Sequence, residues 1–169
     1  MEKVLISACL LGRPVRYNGK SLTVESKHLN EWQQQGRLVA ICPEMEGGLS
    51  VPRAAAEIVD GQAGDVVDGT AEVITIEGDN VTSPFMRGAQ KVLSLCQMHN
   101  IKIAILAEGS PSCGSTEVYD GSFSGRRIAG MGVTSALLER HGVEVFSQFQ
   151  LASACHYLNR IEAVAGKRS

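Results

Sequence analysis

Three apolar runs, Val4-Leu5-Ile6, Leu38-Val39-Ala40-Ile41 and Ile101 to Leu106, each end in a loop that carries a cysteine. Those loops read Ser7-Ala8-Cys9-Leu10, Cys42-Pro43-Glu44 and Ser110-Pro111-Ser112-Cys113-Gly114. Apolar runs of this length, spaced by helical segments, predict buried parallel strands. In an open α/β sheet the carboxyl ends of parallel strands share one edge, and ligands bind in the crevice there. Three thiols delivered by three strand ends then converge on one point, as a metal or cluster site requires.

A chain of 169 residues is expected to form a single domain with a real core. Its net charge of −2 offers no basic stripe for nucleic acid. No apolar stretch is long enough to span a bilayer. The first strand begins almost at Met1, which leaves no room for an export signal, so a cytoplasmic protein is expected. Five cysteines cannot all pair internally. In a reducing compartment such thiols serve as ligands or catalysts more often than as bridges.

The rest of the chain alternates helix and strand. Glu25 to Gln35 has helical composition, with Leu29 and Trp32 three apart and Gly36 as a stop. Glu46 to Gly69 is expected to be loop-rich, broken by Gly47-Gly48, Pro52, Gly61, Gly64 and Gly69. Glu72 to Glu77 suggests a short hairpin turning at Gly78-Asp79-Asn80. Ser83 and Pro84 suit the cap and first position of a helix whose stripe is Phe85, Ala89, Val92, Leu93 and Cys96. A glycine-rich loop, Gly114 to Gly132, leads to a helix over 133–141, a strand over 143–146 and a last helix from Gln150. The expected fold is α/β: one domain, a mainly parallel Rossmann-like sheet, helices on both faces and long loops at the carboxyl edge.

The cysteine spacing is long-range, unlike the local pairs of a zinc ribbon. Three thiolates suit a soft metal or an iron–sulfur cluster. Ordinary clusters take four cysteines, so three would leave one iron open. Glu44 sits two residues past Cys42, on a turn imposed by Pro43. Ser110, Ser112 and Ser115 surround Cys113. Arg53 can bind an anionic or carbonyl group, and Asp120, in Tyr119-Asp120-Gly121, is a further loop carboxylate. Cys96 and Cys155 lie on helical stripes and read as packing residues. His28, His99, His141 and His156 fall on or beside helices, away from the three loops.

The motifs Ser-Ala-Cys-Leu-Leu-Gly at 7–12, Arg16-Tyr17-Asn18-Gly19 and Cys-Pro-Glu at 42–44 resemble the thiouracil desulfidase family. Gly47-Gly48-Leu49, Pro52-Arg53, Ser-Pro-Ser-Cys-Gly at 110–114 and Tyr119-Asp120-Gly121 continue the likeness in order. The resemblance implies an iron–sulfur desulfidase-like domain over 1–150, with 151–169 as a C-terminal helical tail. Ala107, where the family more often has lysine, and that tail fall outside the pattern. It further implies a [4Fe–4S] cluster on Cys9, Cys42 and Cys113, with Glu44 and Ser110 matching the catalytic glutamate and serine. Arg53, Ser112 and Asp120 are the expected substrate contacts.

The leading expectation is a cluster-dependent enzyme that converts a thiolated nucleobase, such as 2-thiouracil, to uracil and hydrogen sulfide without redox change. Its partners are a small thiolated substrate and the iron–sulfur assembly machinery, with no nucleic acid and no membrane, as a monomer or homodimer. A redox sensor or cluster carrier is the alternative from another class, and Glu44 counts against it. A zinc protein or cysteine-nucleophile enzyme is the third, and it lacks a histidine in the site loops.

Overall fold

The structure, a computed structural model, describes residues 1–167. Its centre is a parallel four-stranded sheet of β1 (Val4–Ser7), β2 (Leu38–Ile41), β5 (Ile103–Ile105) and β8 (Glu144–Phe146), in the order β2-β1-β5-β8. Register runs Val4 to Leu38 and Ser7 to Ile41 on one side of β1, and Leu5 to Ala104 on the other. Order reverses between β1 and β5, so the crevice at that switch point lies between the loops bearing Cys9 and Cys113.

The helices are α1 (Lys27–Gln34), α2 (Pro43–Glu46), α3 (Ala63–Asp68), α4 (Thr82–Met98), α5 (Val133–Arg140) and α6 (Leu151–Lys167). With right-handed crossovers, α1 covers one face of the sheet, and α4 and α5 cover the other. The helix α6 packs beside α1 and against β5 and β8. Leu5, Ile6, Ile103, Ile105 and Leu106 are fully buried between these layers. Leu151, Ala154 and Leu158 of α6 join the same core, and only the last two residues of the expected 151–169 tail lie outside the described residues. A second core under α4 and α5 gathers Ile58, Val66, Val73, Phe85 and Leu137.

Four local expectations are corrected. Glu46 to Gly69 is not mainly loop, because β3 (Ala56–Val59) and α3 form there and β3 pairs antiparallel with β4 (Glu72–Thr75). Four residues between breakers are too few for a period to emerge, and pairing with a distant strand decides the conformation. For the same reason β4 takes β3 as its main partner, and only one bridge, Ile74 to Asn80, spans the expected hairpin turn. Ser83 does not cap α4, which begins at Thr82 with no side-chain cap. The Thr82 hydroxyl instead accepts the Val73 N–H at 2.9 Å and ties the helix to β4. Finally, Gly114 to Gly132 holds an antiparallel ribbon, β6 (Glu117–Tyr119) and β7 (Arg127–Ala129).

The short helix α2 rests on α4 through two glycines. A Cβ at Gly88 would fall 1.9 Å from the Pro43 carbonyl oxygen, and one at Gly47 would fall 1.9 Å from that of Pro84. The two backbones touch where any side chain would stand. Gly88→Ala is therefore expected to lower unfolding free energy by about 1–3 kcal/mol or more, as overpacking does. Urea denaturation with an unchanged m-value checks it, and parent-like stability would show that α2 can shift freely.

Candidate functional site

Cys9, Cys42 and Cys113 all line one cavity of about 450 Å³ at the carboxyl edge of the sheet. Each is held by a different local device. Cys9 follows β1 in a 3-10 turn, Ala8–Leu11, that ends on Gly12 in the left-handed region. The Cys9 carbonyl accepts the N–H groups of Gly12 and Leu22, which closes the loop over 12–22 onto the site. Cys42 caps α2, and Pro43 takes the first helical position, where its missing N–H costs nothing.

Cys113 sits in a loop whose carbonyl groups face the start of α5. Val133 N–H reaches Pro111 O at 2.8 Å, and Thr134 N–H reaches Ser112 O at 2.9 Å. The Ser135 hydroxyl donates to Cys113 O at 2.9 Å. This contact needs Gly132, where a Cβ would lie 2.3 Å from the Ser112 carbonyl carbon. Within the loop, Ser110 Oγ accepts the N–H groups of Ser112 and Cys113, both at 3.1 Å. With its lone pairs so occupied, the hydroxyl proton is free to point at Glu44 Oε1, 3.5 Å away.

Glu44 projects from the first turn of α2 into the same cavity. Its other oxygen, Oε2, accepts Arg53 Nε at 2.7 Å and also Nη2. The two side chains are 11% and 9% exposed, so this is a buried ion pair, where losing one partner leaves an uncompensated charge. Arg53 also donates to the carbonyls of Val15 and Ser50, both at 3.1 Å. Its guanidinium is thereby spent on the protein. Arg53, an expected substrate contact, lines the cavity and also braces Glu44.

Two other expected contacts, Ser112 and Asp120, are not among the residues lining the cavity. Ser112 is buried behind the loop, sharing a 2.7 Å hydrogen bond with Thr134 Oγ1, and does not line the cavity. Asp120 turns away because it closes the ribbon's bend, its Oδ1 accepting the N–H and hydroxyl of Ser122. Cys96 packs in the core, and Cys155 sits on α6 beside Asn159, so neither reaches the cavity.

Burial dominates the chemistry of the thiols. It pushes Cys9 up to about 11, with the nearby Cys42 adding to the rise and Arg16 opposing it. Cys42 and Cys113 are raised as well, again chiefly by burial. At neutral pH all three are thiols, and a metal group must displace their protons to bind. Among the described residues no group of three His, Cys, Asp or Glu side chains is disposed to hold a single metal ion. Zinc would require sulfurs within about 4 Å of one another, given Zn–S bonds near 2.3 Å. A cubane cluster carries its ligands on separate irons and spreads them around its corners. The donor set, three soft sulfurs lining one cavity, fits such a cluster.

Sequence reasoning missed Glu108. Its Oε1 accepts the N–H groups of Ser115, Thr116 and Glu117, each at 3.0 Å, and Oε2 accepts the hydroxyls of Ser115 and Thr116. One carboxylate thus pins the chain between the Cys113 loop and β6. Its only signal in the sequence was a charge beside Gly109 at a strand end. Burial opposes its ionisation, but the Thr116 hydroxyl and the three N–H groups outweigh that and hold its carboxyl below the usual range. A depressed folded-state pKa contributes stability above the unfolded value, about 4.3, that is lost as pH falls through the folded value. Glu108→Gln is expected to lower the melting temperature at pH 7, with the gap from the parent closing below about pH 4. A gap that stays constant down to pH 3 would remove Glu108 from this role.

The chain matches the family model for 2-thiouracil desulfurase over residues 4–150. It is 43% identical over 148 residues to the Bacillus subtilis (strain 168) protein called "Uncharacterized protein YbbK", spanning 88% of this chain and 97% of that one. It also resembles a solved structure of a [4Fe-4S]-dependent thiouracil desulfidase, TudS. That likeness has a TM-score of 0.87 at 46% identity and covers 94% of this chain and 99% of the other.

Proposed function

This chain belongs to the 2-thiouracil desulfurase family, and from that premise we propose that it is a [4Fe–4S]-dependent desulfidase acting on a thiolated nucleobase such as 2-thiouracil. The observation that carries the reading is one cavity lined by Cys9, Cys42, Cys113, Glu44 and Ser110 together. Cys9, Cys42 and Cys113 would hold the cluster, which when bound would supply a Lewis acid for the substrate sulfur. The overall exchange is thiocarbonyl plus water to carbonyl plus hydrogen sulfide. Oxygen comes from water and both its protons leave with the sulfur, so no electron donor is consumed.

The protein's own contribution is proton handling. Arg53 occupies Glu44 Oε2 and fixes the carboxylate plane, leaving Oε1 to accept a proton from the attacking water. Once Oε1 carries that proton, the Ser110 O–H can turn to donate to the departing sulfur and take its replacement proton from Glu44. The reading requires a reducing compartment such as the cytoplasm, since all five cysteines are free and the three ligands must stay so until loaded. It also requires an iron–sulfur assembly partner to load them.

Single Cys→Ser changes at 9, 42 and 113 are expected to abolish stable iron and acid-labile sulfide after anaerobic reconstitution. The same change at Cys96 or Cys155 keeps both near the parental level, because packing thiols are not ligands. Iron lost from the Cys155 variant alone would move the ligand set.

Glu44→Gln is expected to keep the cluster absorption while kcat falls by about 10²–10⁴-fold, the range for a lost general base. Ser110→Ala should lose less turnover but more iron, because two N–H groups beside Cys113 lose their acceptor. Sulfide release measured against cluster occupancy separates the two. Parental turnover in fully loaded Glu44→Gln would place the base elsewhere.

A further inference from the structure

Three arginines line the cavity: Arg16, Arg53 and Arg127. Arg53 is spent on Glu44 and two carbonyls. Arg16 lies on the loop over 12–22, and its charge bears on Cys9. Arg127 differs from both. It stands on β7 directly opposite Tyr119 of β6, a cross-strand pair, with its guanidinium 5.2 Å from the ring centroid. Both side chains face the cavity.

The guanidinium is docked as well as stacked. It lies against the bare α-carbon of Gly109, where a Cβ would stand 3.2 Å from Nη2 and the backbone φ is +82°. Gly109 immediately precedes Ser110, so the cation sits one residue from the loop that presents Cys113. The ribbon is fixed at both ends. Glu108 holds the start of β6, and buried Glu57 accepts the N–H groups of Gly121 and Phe123 at its turn. Yet the donors of Arg127 are little used: Nη2 reaches the Tyr119 hydroxyl at 3.4 Å, and the ion pair with Glu117 is 3.8 Å long. A guanidinium carries five N–H donors. A rigidly mounted, largely unspent cation on a cavity wall is a binding group in waiting.

Resting on the desulfidase reading, we propose that Arg127 sets substrate specificity by donating to a ring oxygen of the thiolated base, remote from the sulfur that is removed. Tyr119 backs the guanidinium with its ring and hydroxyl and adds an aromatic surface beside the heterocycle. The Arg127 side chain is 44% exposed, so an analogue lacking that oxygen forgoes a charge-assisted hydrogen bond without stranding a buried donor, and binds more weakly. The arrangement therefore favours 2-thiouracil, which keeps a carbonyl at the fourth ring position, over pyrimidine-2-thione, which has none.

The test compares the reconstituted parent with Arg127→Met and Arg127→Lys, all at matched iron content. Sulfide release gives kcat and KM for both thiones, and calorimetry gives the Kd for uracil as product. Arg127→Met is expected to raise KM for 2-thiouracil and Kd for uracil together by roughly 10- to 100-fold, as for a lost charge-assisted hydrogen bond. Its kcat stays within about threefold, and its preference over pyrimidine-2-thione disappears. Arg127→Lys keeps charge without the planar fork and falls between. Unchanged KM, Kd and preference in Arg127→Met would overturn the assignment while leaving the desulfidase reading intact. Equal losses on both thiones would also overturn it, marking Arg127 as structural. A parent with full cluster that releases no sulfide from any thiolated base would overturn both.

Discussion

Parallel pairing of β1 with β2 on one side and β5 on the other is the constraint from which the site follows. Parallel strands deliver their carboxyl ends to one edge, and the reversal of order beside β1 opens a gap between the loops that leave it. Cys9 and Cys113 border that gap, and Cys42 reaches it because α2 turns the chain back at once. Everything else answers a debt created there. Three loops crowd one edge, their polar backbone must be satisfied, and no sheet ladder is left to do it. The start of α5, the Ser110 hydroxyl and the Glu108 carboxylate supply the missing partners.

The parts legible in the sequence were those where a residue type forces a local outcome. Apolar runs marked β1, β2 and β5, Pro43 marked the exit from β2, and Gly36 marked a helix end. Where partners lie far along the chain, local pattern failed. Val73 N–H takes Thr82 Oγ1, and β4 takes β3, for reasons that no window of a few residues contains. The site shows the same division. Which residues surround the cavity was largely readable from the loops, but what each does there was not. Arg53 and Asp120 looked alike as candidate substrate contacts, and only their hydrogen bonds reveal one as a brace for Glu44 and the other as a turn-former.

Charge in the cavity is arranged by commitment as well as by sign. Arg53 and Glu44 neutralise one another in a setting too buried for either to stand alone. Glu57 and Glu108 are both consumed by backbone N–H groups. Arg127 keeps donors in reserve, on a strand that contributes no cysteine. In the proposed reading, binding and cluster retention thus fall to different pieces of chain.

That separation bears on how such a protein can change over time. The β6–β7 ribbon adds little to either apolar core and is moored by two carboxylates and a glycine contact. Its cavity-facing positions can vary without asking the strands beneath to repack. On the proposed reading, a lineage can therefore trial new heterocycles by exchanging residues on this ribbon while the cysteine loops and Glu44 stay as they are.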